Sequence, residues 1–436
     1  MKKCILPAIL LILLSINGIV HASISTTQSA MWARSASRNA SLDIDAVFYN
    51  PAGTVKLKDG LHFYFHHITM IGHGHIKNDT IMPSGYEPLK DKYRMFGVGY
   101  YLVNIYLDYK TGPFSFFISF EPIGGLGSGT YQDGTPSMYV PMSTFKYEGY
   151  ETMSNVDMYM QGGGGFVSPA AGIAYAINDK ISVSVKGRYI FGFMVAQARL
   201  DADFTDGNGT AMDHPDIPLD AKWRALGHGG GIGFGVNISP IKDLNIGIIF
   251  EWYSELVLVV DFQKGGLPFD GAPEDGDRWN SQLPMWLGFG VGYNVTPEFR
   301  VSASYNQFFN KYAKIEGEHK QEHKNAWKVS FGGEYTFDDF VTVGMGYGFN
   351  KSHYQRVHQT DFKQKTDAHR LHTGASFKIT EDIKLHVAYN VLIGVPVSGK
   401  NYIPFQLVVP FGGTPGDSTY YKYLHQFTYG AQFRFL

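Results

Sequence analysis

The side chains able to do chemistry are sparse in this sequence. His66, His67, His73 and His75 fall within ten residues of one another. Metal binding would need further His, Cys, Asp or Glu at ligand spacing, and no such partner accompanies them, so solvated loop histidines are weighed against it. A nucleophilic triad needs a hydroxyl or thiol beside a histidine that a third group orients. His386 and Asn390 share one face of a strand pattern, but no matching nucleophile is recognisable. Gly162 to Gly165 precede neither a helix nor a Lys-Ser/Thr pair, so they read as a flexible linker, not a phosphate loop. Cys4 is the only cysteine and lies in a leader-like segment, which leaves no disulfide and no thiol chemistry beyond it. No catalytic set emerges, and neither a metal nor a cofactor is implied. The remaining chemistry is that of binding.

The elements that would present such a site are strands. Lys2 and Lys3 open the chain, Ile5 to Val20 is mostly apolar, and Val20-His21-Ala22 has small residues at the cleavage positions. Residues 1–22 are therefore expected to be a secretory signal peptide, cut after Ala22. The net charge of −2 gives no reason to expect nucleic acid. Beyond the leader no apolar run approaches the roughly 20 residues of a spanning helix. From Gly60 onward the pattern has period two. Val341, Val343, Met345, Tyr347 and Phe349 alternate with Thr342, Gly344, Gly346, Gly348 and Asn350; Ile383, Leu385, Val387 and Tyr389 alternate with Lys384, His386, Ala388 and Asn390. One face is apolar and the other small or polar, as in a strand with lipid outside and a lumen inside. A soluble sandwich alternates in the same way. Short turns near 178, 240, 295, 338 and 381 alternate with long polar loops near 122–165, 201–221, 263–281, 354–368 and 395–420. This asymmetry favours a barrel. Strands beginning near 60, 93, 112, 153, 180, 221, 243, 282, 298, 323, 340, 369, 382 and 420 make an all-β fold, a 14-stranded antiparallel transmembrane β-barrel. Residues 23–59 lack the alternation and are read as a hatch, with residues 60–436 as the barrel.

The stretch Asp45 to Gly60, DAVFYNPAGTVKLKDG, resembles the plug, or hatch, of the long-chain fatty-acid outer-membrane transporter family of the FadL/TodX type. The family's Asn-Pro-Ala is intact as Asn50, Pro51 and Ala52, followed by Gly53. Repeated strand–turn–strand units from Ser168, Leu283 and Ala326 are similar to the family's own, so the resemblance spans almost the whole chain after the leader. It implies fourteen strands with an N-terminal hatch in the lumen, a bacterial outer-membrane location, and passage of fatty acids or similar hydrophobic molecules. It also implies an inward kink in the third strand that opens a lateral gap. Here Pro122 ends a strand pattern and Gly124 and Gly125 follow, which reads as either a loop start or that interruption. The ending Thr428-x-Gly430-x-x-Phe433-x-Phe435 resembles the signal read by the barrel assembly machinery, with Leu436 last in place of an aromatic. A monomer embedded in outer-membrane lipid is expected.

By parity Lys186, Arg188, Glu251, Arg300, Lys328, Glu334, Lys378 and Lys384 point into the lumen, mostly paired or hydrated. Arg199 and Lys324, at the outer ends of their strands, are candidates to hold a carboxylate. Phe117, an aromatic on an otherwise polar face, is a candidate wall for an apolar pocket. The expected activity is diffusion of long-chain fatty acids through a plugged barrel with lateral release into the bilayer. The alternatives are an aromatic-hydrocarbon uptake channel, a surface binding protein or adhesin on a closed barrel, and a polar-solute porin.

Overall fold

The computed structural model describes residues 25–81, 89–136, 152–213, 218–265, 274–314, 324–352, 359, 361, 364–400 and 416–435. The expected leader and its cleavage site, and Leu436, lie outside them. Fourteen strands follow in chain order: β1 (Gly60–Asn78), β2 (Lys92–Thr111), β3 (Phe114–Tyr131), β4 (Thr152–Ala176), β5 (Ile181–Thr205), β6 (Leu219–Ile241) and β7 (Leu244–Tyr253 with Val257–Lys264). The second half comprises β8 (Arg278–Asn280 with Trp286–Asn294), β9 (Phe299–Phe308), β10 (Ala326–Phe337), β11 (Val341–Lys351), β12 (Ala368–Lys378), β13 (Ile383–Gly394 with Val397–Lys400) and β14 (Asp417–Phe435). Ala211–Met212 adds a two-residue extension beside the end of β5. Each strand pairs antiparallel with the next, and β1 pairs with β14 from Leu61↔Phe435 to Asn78↔Ser418. That last ladder closes the cylinder, which removes the unpaired edges an open sheet would carry.

The alternation read from the sequence sets which side chains face out. On β3, Phe114, Phe116, Ile118 and Phe120 are exposed on the outer wall, while Ser115, Phe117 and Ser119 are buried inside. Aromatic rings gather at the short-turn end: Phe114 against Tyr175, Tyr335 against Phe337, and Phe433 against Phe435. An apolar outer band edged by such a girdle is the pattern of a cylinder solvated by hydrocarbon. Among the described residues no helix is long and apolar enough to cross a membrane.

Three expectations are corrected. The stretch from 122 to 165 is not one loop, because β3 continues past Pro122 to Tyr131 and β4 already runs from Thr152. Gly162–Gly165 lie within β4, paired with Ala196, Val195, Met194 and Phe193 of β5. Ladder hydrogen bonds on that side hold a glycine run that local propensity alone would leave as a linker. The histidines are likewise not loop residues. All four lie in β1, His66 buried inside and His67, His73 and His75 on the outer face, so the pleat keeps them from sharing one metal ion.

The N-terminal segment fills the lumen. Its first helix, α1 (Ala30–Ser35), is capped by Ser29, whose Oγ accepts from Trp32 N, and ends at Ala36 in the left-handed conformation. A second helical turn, α2 (Ala46–Tyr49), leads into a 3₁₀ turn over Pro51–Lys56. Nearly every residue from Thr26 to Val55 is buried. Phe48 stacks on Trp286 of β8 at 5.4 Å, and Tyr64 of β1 stacks on Tyr106 of β2 at 5.7 Å beside the segment. The hydrophobic core is therefore shared between the segment and the inner wall.

Candidate functional site

Small residues on the inner wall let the segment's backbone come close. A Cβ at Gly332 of β10 or Gly346 of β11 would overlap Ser35, and one at Gly247 of β7 or Gly290 of β8 would overlap Asn39. The Gly-rich inner face of these strands thus serves packing against the segment. Replacing Gly332 by Val should force Ser35 off the wall. The expected readout is trypsin cleavage at Arg34 and Arg38, which are buried and protected in the native protein. An unchanged digestion pattern would show that the wall tolerates the side chain.

The Asn-Pro-Ala motif is one anchor of this docking. Asn50 Nδ2 donates to Val236 O of β6 at 2.9 Å, and Ser182 Oγ of β5 donates to Ala52 O at 2.6 Å. Pro51 starts the 3₁₀ turn, where its missing N–H costs nothing. Gly53 lies so close to the Ser41 carbonyl that a Cβ would overlap it.

Buried charges form two networks between segment and wall. In the first, Arg34 Nε donates to Glu334 Oε1 at 2.7 Å, and Arg38 bonds Asp45 at 2.8–2.9 Å and Asp43 at 2.5 Å. Burial pushes the Asp43 carboxyl up, but the Arg38 guanidinium pulls it well below the usual carboxylate range. That pairing therefore contributes stability above about pH 4, the unfolded-state value, and loses it only as pH falls further. In the second, Lys186 and Arg188 of β5 hold Glu251 of β7 at 2.7 and 3.0 Å, and Arg188 also holds Glu121 of β3 at 2.7 Å. Lys186 Nζ donates to Val47 O and Phe48 O at the end of α2.

Ser376 of β12, which strand alternation alone does not single out, lies 2.6 Å from His386 Nδ1 of β13. Arg34 also donates to that hydroxyl. The pair is buried beneath α1 and lies outside the lumen cavity described below. Asn390 does not orient the histidine; its Oδ1 accepts from Arg370 at 2.7 Å. Among the described residues no third group bonds His386 Nε2, and burial denies the pair the access that a nucleophilic serine requires.

The wall itself is interrupted between β2 and β3. Their ladder runs from Thr111↔Phe114 to Ile105↔Phe120 and resumes only at Phe96↔Thr130 and Met95↔Tyr131. Residues 97–104 and 121–129 between these points have no ladder partners across this seam. Pro122 offers no N–H, the β3–β4 register shifts on both sides of Gly124, and Gly125 has φ +66°. Two of the freed carbonyls on β3 accept from the N-terminal segment, while nearer the resumed ladder Ser128 Oγ donates to Val98 O across the seam at 3.1 Å. Ser25 N donates to Ile123 O at 2.8 Å and Gln28 Nε2 to Pro122 O at 2.8 Å. On the opposite edge Asn104 Nδ2 donates to Gln28 Oε1 at 2.9 Å, and Tyr106 Oη donates to Gln28 O at 2.6 Å. One fully buried glutamine bridges both edges. Nothing in its local sequence marks Gln28, since its role depends on strands 76 and 94 residues away.

A cavity of about 480 Å³ lies behind the interruption. Pro122, Gly125, Thr27 and Gly97 line its gap side, and Trp32, Met70, Met160, Phe308 and Leu424 give it apolar walls. Lys328 of β10, Arg370 of β12 and Lys422 of β14 also line it, together with Lys351 and Lys365; Asp361 adds a carboxylate. Arg370 donates to the side-chain oxygens of Asn390 and Gln426 and lies over the Trp32 ring at 5.4 Å. No carboxylate pairs with Arg370 or Lys422 among the described residues. Lys328 Nζ sits over the Phe308 ring at 4.9 Å. The volume is within the usual range for a small-molecule site.

A cavity with apolar walls and a cationic cluster, a lumen filled by the N-terminal segment and a broken seam in a 14-stranded wall invite comparison with solved barrels. The chain superposes on a Pseudomonas aeruginosa FadL homologue with a TM-score of 0.66 at 15% identity, covering 95% of this chain and 99% of that one. This is the fold of the FadL-type outer-membrane channels. The Ralstonia pickettii toluene transporter TbuX gives 0.53 at 14% identity, covering 90% and 94%, and the P. putida toluene transporter TodX gives 0.55 at 10%, covering 90% and 95%. No family model and no curated protein matches the sequence.

Within this FadL-type barrel the proposed pocket residues are placed differently from expectation. Phe117 does turn inward and is buried, but it packs over Gly172 of β4 and does not line the cavity. Arg199 faces outward on β5, paired with Asp157 at 3.6 Å and over the Tyr159 ring. Lys324 is exposed just before β10 and also lies off the cavity. Strand parity did place Lys328 inside. It could not tell which lumen charges pair beneath the N-terminal segment and which line the cavity.

Proposed function

We propose that this chain is an outer-membrane channel for long-chain fatty acids, with the N-terminal segment as its hatch and the β2–β3 interruption as a lateral exit. The observation that carries this reading is the joining of apolar walls and a cationic cluster in a single cavity that meets the broken seam. Moving an acyl chain out of water is favourable by about 0.8 kcal/mol per CH₂, so a sixteen-carbon chain gains roughly 12 kcal/mol. Release into water would forfeit that gain. Release sideways into hydrocarbon keeps it, which favours a gap in the wall over an aqueous tunnel. Arg370, Lys328 and Lys422 supply what a neutral hydrocarbon does not need, a place for a carboxylate in a water-poor site. Transport then requires the Ser25–Gln28 stretch to leave the seam.

On this reading the C-terminal strand presents Phe433 and Phe435 outward and Thr428 inward, with Gly430 against His66, as a recognition edge for barrel assembly. A monoaromatic hydrocarbon is the competing cargo. Equilibrium binding to the purified protein separates the two. Palmitate should bind more tightly than hexadecanol, and toluene should displace it only at far higher concentration. Equal affinity for palmitate and hexadecanol would remove the role of the cations and with it the assignment to fatty acids.

A further inference from the structure

The outer wall beside the seam carries a second charged feature, separate from the lumen. At the long-loop end of β2, Lys92 and Arg94 project outward and are exposed. Across the β1–β2 ladder Lys92 sits opposite Lys77, and Arg94 opposite His75. His75 in turn stacks on Tyr421 of β14 at 4.3 Å with the rings 10° apart. Lys77 is engaged with Asp79 at 3.1 Å, but no carboxylate pairs with Lys92 or Arg94 among the described residues. Elsewhere on the outer wall Arg224 is neutralised by Asp261 at 2.6 Å. Phe96, 56% exposed, lies next along the outer face of β2, and its pairing with Thr130 is the last before the ladder breaks.

From rim to mid-wall the order is therefore two exposed cations, an imidazole–phenol stack, an exposed phenyl ring, and then the mouth of the interruption. A lipid has the same order, anionic headgroup above and acyl chain below. Arginine and lysine at headgroup depth favour phosphate, which accepts the guanidinium fork and lies on the water side of the hydrocarbon. We infer that this sector holds a phosphorylated lipid of the outer leaflet. Its phosphates rest on Lys92 and Arg94, and its chains lie over Phe96 across the mouth of the seam. The inference rests on the outer-membrane placement proposed above but not on the identity of the cargo. It deepens the account of the exit, since a lipid seated there is what an emerging molecule meets first.

The test uses the full chain purified in detergent, with native mass spectrometry of bound lipid. The probes are bis-phosphorylated lipid A and its dephosphorylated form. Wild type should retain the phosphorylated lipid about ten-fold more than a Lys92→Gln, Arg94→Gln double variant, with the dephosphorylated form held equally weakly by both. Equal retention of the two lipids by wild type would overturn the inference, and so would equal retention of the phosphorylated lipid by wild type and variant. The wild-type comparison needs no substitution, so it stands even where the variant folds poorly. Palmitate binding should be unchanged in the variant. Failure of palmitate to bind wild type would count against the fatty-acid reading alone.

Discussion

Tethering Gln28 to Asn104 should stop fatty-acid uptake, and cutting the tether should restore it. Gln28 and Asn104 would each be replaced by Cys and joined by a short thiol-specific cross-linker with a reducible bond. Cys4 is the only native cysteine and lies in the expected leader, so no other thiol competes. The expected loss is large, at least ten-fold in uptake rate, because the cross-link ties residue 28 to β2 and keeps it in the seam that Gln28 fills in the native protein. Gln28 donates to Pro122 O on β3 and accepts from Asn104 and Tyr106 on β2, so neither edge parts freely while it stays. A control tether distinguishes local movement from displacement of the whole plug. Ser37 Oγ lies 2.7 Å from Ser304 Oγ of β9, away from the seam. A bridge there should leave uptake within about two-fold of wild type if only the first few residues move. Wild-type rates with Gln28 tethered would mean that cargo leaves by another route.

Removing the cavity's cations should weaken binding of a fatty acid without touching a neutral chain. In an Arg370→Gln, Lys328→Gln double variant, palmitate affinity should fall about a hundred-fold. Each charge-assisted hydrogen bond to a carboxylate contributes roughly 1.5–3 kcal/mol, and 1.4 kcal/mol is a factor of ten. Hexadecanol fills the same apolar walls with no charge, and its affinity should change by less than about two-fold. Arg199→Gln and Lys324→Gln, which alter cations outside the cavity, should change neither. A parallel loss of palmitate and hexadecanol would mean that Arg370, bonded to Asn390 and Gln426, mainly shapes the wall. Calorimetric titration of the purified protein distinguishes these outcomes.

Much of the architecture could be read along the chain because strand facing is a local property. Successive side chains point to opposite faces, so the run from Val341 to Asn350 declares its lipid side and its lumen side without knowledge of its neighbours. Turn chemistry at the short end fixed the strand count, and the ladders close as fourteen. Pro122, Gly124 and Gly125 were visible as a place where β3 either ends or is interrupted, because proline and glycine disturb a ladder through their own backbones. The other edge, residues 97–104 of β2, carries no proline. Its lack of ladder partners comes from what stands opposite, and only the assembled wall shows it.

Period two thus determined the barrel and the inward direction of Lys328. The tertiary structure decided the site. Lys328, Arg370 and Lys422 lie on three different strands, and Gln28 meets strands whose residues are far from it in the chain. Which inward residues meet across a lumen depends on strand tilt, ladder register and where the plug rests. Those are properties of closure, and a local alternation of side chains carries no record of them.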